Sequence, residues 1–282
     1  MGLNEWPLML FTVLGQISVG AFLVAGMALL GGRLEAIEKQ TLLKKMFFIW
    51  VLLGVGFLGS AFHLGSPLRG LNAFSRIGHS GLSTEAFCGV LFFVIGGFYW
   101  LLAVLGKIQG SLAKAWLFIA MVLGVVFVYT MVQAYAINTV PTWDNGYTLV
   151  NFFMTMLVGG SLLGYWLKRE SCDCARAVLA FIAVAAFVAS LGSNLLQGSE
   201  LATITSSVIS ASQLSPDFGF FMTLRLVLIA LGLALWLAPM MSGKQAGASR
   251  MMVALLLVIA GELVGRGVFY GLHMTVGMVY GS

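Results

Sequence analysis

Eight apolar runs follow one another along the chain, each long enough to supply the roughly 20 helical residues that cross a hydrocarbon core, with short polar loops between them. The pattern predicts helices near 6–30, 46–63, 85–105, 115–137, 149–167, 177–197, 219–241 and 251–273. Helix is the expected state because lipid offers no hydrogen-bond partner to an open backbone group. Glycine pairs such as Gly54/Gly56, Gly96/Gly97 and Gly159/Gly160 suit close packing between membrane helices. The fold expected is therefore all-α: one integral-membrane domain spanning residues 1–282, a bundle of eight transmembrane helices.

Composition makes the same case. Of 282 residues, 60% are apolar and only 9% charged, with a mean hydropathy of +1.00. A soluble domain carries about 25% charged residues. The N-terminal stretch lacks a basic region before its apolar run, so that run is expected to be kept as a helix rather than cleaved as a leader.

Charge then sets orientation. The loops after helices one, three, five and seven carry Arg33, Lys39, Lys44, Lys45, Lys107, Lys114, Lys168, Arg169, Arg176, Lys244 and Arg250. The opposite side has only Arg69 and Arg76, while Arg225 and Arg266 fall within helices. Basic loops stay inside, which predicts both termini outside. The net charge of +5 is thus an orientation signal and not a nucleic-acid footprint. Cys88 lies in an apolar run, and Cys172 and Cys174 in a basic loop, a pattern that suits neither a disulfide framework nor an iron–sulfur site.

Candidate chemistry falls on the outer side. His63 closes the second predicted helix and Glu85 opens the third, so both can border one interfacial pocket. A histidine accepts one proton near neutral pH and a carboxylate accepts or relays another, as a substrate with two hydroxyls requires. The alternative is that both residues cap helix ends; Ser83-Thr84-Glu85 reads as a helix start, where an acid is stabilised by the dipole.

In the last helix, Glu262, Arg266, Phe269 and His273 share a stripe about 60° wide. Glu262 and Arg266 are four apart and within reach of a direct pair. Ionisable groups so deep face the bundle interior, either as a polar path or as a structural ion pair. His273 shares the outer depth of His63. Arg225 is expected to snorkel outward toward Asp217 or Glu200, and Trp6, Trp143 and Tyr147 to sit at the interface. The stretch 138–144 is a weak candidate for an outer docking surface. With three histidines, none mid-span, a bis-histidine haem is not expected. Nor does the sequence hold a P-loop, an HExxH motif or a cysteine cluster.

Several stretches carry a resemblance. They are Asn4-Glu-Trp-Pro7-Leu, Met46-Phe-Phe-Ile-Trp50, His63-Leu-Gly-Ser-Pro67, Gly81-Leu-Ser-Thr-Glu85, Thr139-Val-Pro-Thr-Trp143 and the long run from Gly261 through His273 to Met278. The sequence resembles the DmsC family over essentially its whole length. Members of that family are membrane-anchor subunits of bacterial dimethyl-sulfoxide reductases. The resemblance implies an inner-membrane anchor with periplasmic termini that oxidises menaquinol. Electrons would pass to an iron–sulfur subunit feeding a molybdopterin catalytic subunit, both docked on the periplasmic face. The anchor itself would bind no haem, cluster or metal. The same resemblance maps the family's quinol-site histidine and glutamate onto His63 and Glu85, with Gly65 and Arg69 beside the histidine. Thr84 stands where asparagine is expected before the glutamate. His273 joins the expected quinol site, and Glu262 and Arg266 are assigned a structural or proton-path role. Two other readings stay open: a structural anchor that binds no quinol, and a secondary transporter, disfavoured by the lack of a visible repeat.

Overall fold

The computed structural model describes residues 2–63, 76–169, 176–205 and 210–274. Ten α-helices account for most of them: α1 Trp6–Leu30, α2 Ala36–Lys45, α3 Phe47–His63, α4 Gly81–Val104, α5 Gly110–Tyr135, α6 Gly146–Lys168, α7 Arg176–Glu200, α8 Ala211–Leu214, α9 Phe218–Met241 and α10 Ala248–Gly271. Eight segments among them are long and apolar enough to cross a membrane, with α2 and α3 together forming the second.

The helix α1 is the hub. It packs against α3, α5, α6 and α10, and 83% of its apolar window is buried inside the bundle. Its contact with α6 is made backbone to backbone. A Cβ on Gly160 would stand 2.4 Å from the Cα of Gly20, and a Cβ on Gly20 would meet the Met156 carbonyl oxygen. Small residues permit this approach, and dispersion across a long dry contact rewards it. Outside the hub, α4 pairs with α5, α6 with α7 and α9 with α10. Phe22, Trp50, Phe92 and Phe127 fill the space between α1, α3, α4 and α5 with edge-on, tilted and stacked ring contacts. The outer flanks keep exposed apolar side chains such as Phe118, Phe181, Leu195 and Leu256, as a lipid-facing surface requires.

Two departures from the sequence pattern matter for the site. The basic stretch expected as a loop before the second span contains α2, held at its start by a reciprocal Glu35–Glu38 capping box. And α4 begins at Gly81 rather than near Glu85, because Thr84 organises the turn. Its hydroxyl donates to the Ser80 carbonyl at 2.9 Å and accepts from the Gly78 N–H at 3.0 Å. Glu85 therefore lies inside the helix and caps nothing.

Candidate functional site

Near one end of the bundle the helices part around a cavity of about 710 Å³, within the size range of small-molecule sites. The N-terminal residues and α1 contribute Asn4, Glu5, Leu8 and Phe11 to its wall; the end of α3 contributes Phe57, Ser60 and Ala61. From α4 come Leu82, Glu85, Ala86 and Val90, from the end of α5 Ala134 and Tyr135, and from α10 Tyr270 with His273 just beyond it. Trp143, in the connection between α5 and α6, completes the lining. The wall is mostly apolar, with few polar groups at fixed points.

Glu85 is the charged group of that wall held deepest, 2% exposed. Its Oε1 atom is buried and has no hydrogen-bond partner among the described residues. A buried carboxylate oxygen without a partner is costly, and a native fold retains one where a ligand or proton is to be met. The Arg266 guanidinium acts on Glu85 electrostatically, and its field also reaches Tyr135 and Tyr270. Those two tyrosines meet hydroxyl to hydroxyl at 2.5 Å.

An aromatic cluster frames another part of the wall. The Trp143 ring stacks on Phe269 with centroids 5.4 Å apart and donates its indole N–H to the Phe269 carbonyl at 2.7 Å. His273 also packs on Trp143, with ring centroids 4.6 Å apart, and is exposed. Trp143 thus does more than mark an interface.

The predicted site residues divide into three groups. Glu85 and His273 line the same cavity. His63 is the last residue of α3, two residues beyond the cavity-lining Ala61, and its side chain lies outside the described residues. Gly65 and Arg69 also lie outside the described residues. Glu262 and Arg266 do not line the cavity and do not form the direct pair their spacing allows.

Glu262 instead binds across helices, accepting from Arg225 at 3.0 Å and from Thr155 at 2.9 Å. The Arg225 side chain is 3% exposed and turns inward. It donates to Asn151 at 3.3 Å, to Asn194 at 3.2 Å and to Ser190 at 3.1 Å. Outward snorkelling is overruled because a ready-made set of acceptors on α6, α7 and α10 satisfies the guanidinium in place. Glu200, the other expected partner, accepts from the Tyr147 hydroxyl at 2.5 Å. Arg266 reaches the opposite way, donating to Gln16 at 2.9 Å and lying 3.8 Å over the Phe152 ring.

Sequence reasoning missed Tyr135 and Tyr270 as cavity groups and Gln16 as the partner of Arg266. A lone glutamine inside an apolar helix was the available signal. No group of three or more histidine, cysteine, aspartate or glutamate side chains placed to hold a metal occurs among the described residues.

An apolar bundle with eight candidate membrane spans and a mostly apolar cavity at one end defines a polytopic membrane protein. Comparison with known proteins gives the family. Residues 1–272 match the model of the DMSO reductase anchor subunit (DmsC), and the protein belongs to that family. It is 50% identical over 284 residues to the C subunit of the anaerobic dimethyl sulfoxide reductase of Escherichia coli (strain K12), a match that takes in 100% of this sequence and 99% of that one. It is 46% identical to the anaerobic dimethyl sulfoxide reductase subunit YnfH of the same organism, over 98% of each sequence. The corresponding C subunit of Haemophilus influenzae is 37% identical over 100% of this sequence and 99% of its own length. The protein is thus a multi-pass membrane-anchor subunit of the dimethyl-sulfoxide reductase type.

Proposed function

We propose that this anchor oxidises menaquinol in the cavity beside Glu85 and hands the electrons to an iron–sulfur subunit that feeds a molybdopterin catalytic subunit. One observation carries the reading: a carboxylate oxygen without a hydrogen-bond partner, buried in the wall of a mostly apolar cavity large enough for a two-ring quinol head. The apolar surroundings suit the ring system and the tail, and the few polar groups suit its two hydroxyls.

In the proposed reaction one quinol hydroxyl donates to His63 and the other to Glu85. Two electrons leave to the docked partner, and two protons leave through these residues to the same side. Arg69 offsets negative charge developing on the ring, while His273 and Trp143 hold the ring edge. Arg266 supplies a positive charge within the apolar bundle whose field reaches Glu85. The Lys/Arg asymmetry supports periplasmic termini, inner-membrane residence and docking of the partners on the periplasmic face. Because protons and electrons leave on one side, this step alone builds no membrane potential.

Fluorescence quenching of a quinol-analogue inhibitor in membranes carrying the assembled complex tests the proposal. Glu85→Gln and His63→Ala are each expected to abolish stoichiometric binding while the enzyme still works with soluble donors. Unaltered binding in both variants would move the quinol site elsewhere. A wild-type complex that binds nothing would leave a structural anchor.

A further inference from the structure

A second and much smaller cavity, of about 20 Å³, lies between α6, α7, α9 and α10. Its polar lining comes from Asn151, Gln197, Arg225, Glu262 and Arg266. Three further facts place its mouth. Gln197 is close to the end of α7, Met222 is close to the start of α9, and Leu272 lies just past α10. The cavity therefore reaches inward from the end of the bundle that also holds the larger one. Glu262, nine residues before the end of α10, sits at a depth of about 14 Å.

The polar groups around this space do not all satisfy one another. Arg225 Nε and Arg266 Nε are buried and have no acceptor among the described residues. The Arg225 Nε borders the cavity directly, for it stands 2.7 Å from the place a Cβ on the lining residue Gly265 would take. Both bonds to Glu262 fall on Oε2, which leaves Oε1 for another donor. The Gln197 amide, 7% exposed, supplies a further donor and acceptor. Arg266 donates to Gln16 and lies over the Phe152 ring, and it makes no ion pair among the described residues. Buried groups of this kind are costly until each meets a partner.

We infer that this cavity holds internal water, which accepts from the two arginine Nε–H groups and donates to Glu262 Oε1 and the Gln197 amide oxygen. The space is sufficient, since a water needs about 10–15 Å³ and two to four polar partners. An anion would be drawn by the guanidinium groups, but the Glu262 carboxylate borders the same space and repels it. The water joins the Arg225–Glu262 network to Arg266 and solvates the Arg266 charge inside an apolar bundle. The inference does not depend on what the larger cavity binds.

X-ray footprinting of the intact complex tests it, because radicals made from bound water oxidise the side chains beside it. Met222 lines the cavity and is 7% exposed, whereas Met156 is 5% exposed and lines neither cavity. Burial alone would make the two oxidise at similar rates. With internal water, Met222 is expected to oxidise several-fold faster than Met156. Gln197→Leu removes one polar partner, and Leu272→Phe narrows the cavity while keeping every polar group. Each assembled variant should bring the Met222 rate down toward that of Met156. A wild type in which both methionines oxidise alike overturns the inference. So does a fast Met222 rate unchanged in both variants, which would trace it to bulk water. A Met222 rate that changes when chloride is replaced by sulfate overturns it in favour of a bound anion.

Discussion

Arg225 on α9 and Glu262 on α10 are paired at 3.0 Å with neither side chain more than 4% exposed. The pair is the centre of a polar network inside an apolar bundle, and it decides how four helices are set against one another. Asn151 and Thr155 bring in α6, and Ser190 and Asn194 bring in α7. Glycine makes the geometry possible. A Cβ on Gly265 would stand 2.5 Å from Arg225 Cδ, so the arginine runs across the space that a side chain would take.

Breaking this pair from one side leaves a buried charge uncompensated, which costs about 3–5 kcal/mol. Glu262→Leu and Arg225→Met are each expected to lower the thermal unfolding midpoint of the purified complex sharply. The double variant should recover most of that loss, because no lone charge remains. A double variant as unstable as the sum of the two would show that the surrounding amides and hydroxyls, rather than the pair, carry the energy.

Trp143 offers a finer test of the cavity wall. Trp143→Phe keeps a ring against Phe269 and His273 but loses the 2.7 Å bond to the Phe269 carbonyl. Its expected cost in inhibitor affinity is about 1 kcal/mol, close to five-fold. Trp143→Ala also opens the wall and should weaken binding by tenfold or more, on the order of the further 0.5–1.5 kcal/mol that an aromatic pair contributes. Titration of a quinol-analogue inhibitor into membranes measures both.

Gly160→Ala probes the hub. The added methyl would lie 2.4 Å from the Gly20 Cα, a backbone atom that can yield only if α1 and α6 separate. Overpacking of this kind costs about 1–3 kcal/mol. A lower unfolding midpoint is expected, with normal inhibitor affinity in whatever fraction folds, since neither glycine lines the cavity.

The bundle itself was legible in the sequence because lipid imposes one rule on every span, and the rule is local. Runs of apolar residues and the loops between them therefore gave eight helices to within a few residues at most ends. Partner choice was not local. Glu262 has Arg266 four residues away, yet it binds Arg225 on another helix, because acceptors from α6 and α7 converge on the α9 guanidinium. Helix spacing shows which groups are able to meet and is silent on rivals brought in by packing. The start of α4 was misplaced for a smaller reason. Thr84 uses its hydroxyl within the first turn, and a sequence pattern does not distinguish that from a cap three residues later. Trp143 read as an interfacial aromatic because three of its four ring neighbours, Phe269, Tyr270 and His273, come from α10 and the residues just after it, more than a hundred positions downstream.

The bond between Arg266 and Gln16 spans 250 positions of the sequence. At the usual pace of synthesis, about 5–20 residues per second, Gln16 waits roughly 10–50 seconds in the bilayer before its partner is made. The N-terminal backbone waits too, since the Gly2 N–H bonds to the Gly267 carbonyl at 2.8 Å. The first helix inserted is thus the last to be enclosed. Until α10 arrives, the Gln16 amide oxygen on α1 lacks its Arg266 donor and the cavity lacks one of its walls. A half-made subunit has an unfinished cavity, and a polypeptide stalled before its last helix leaves its hub open on the side that α10 covers.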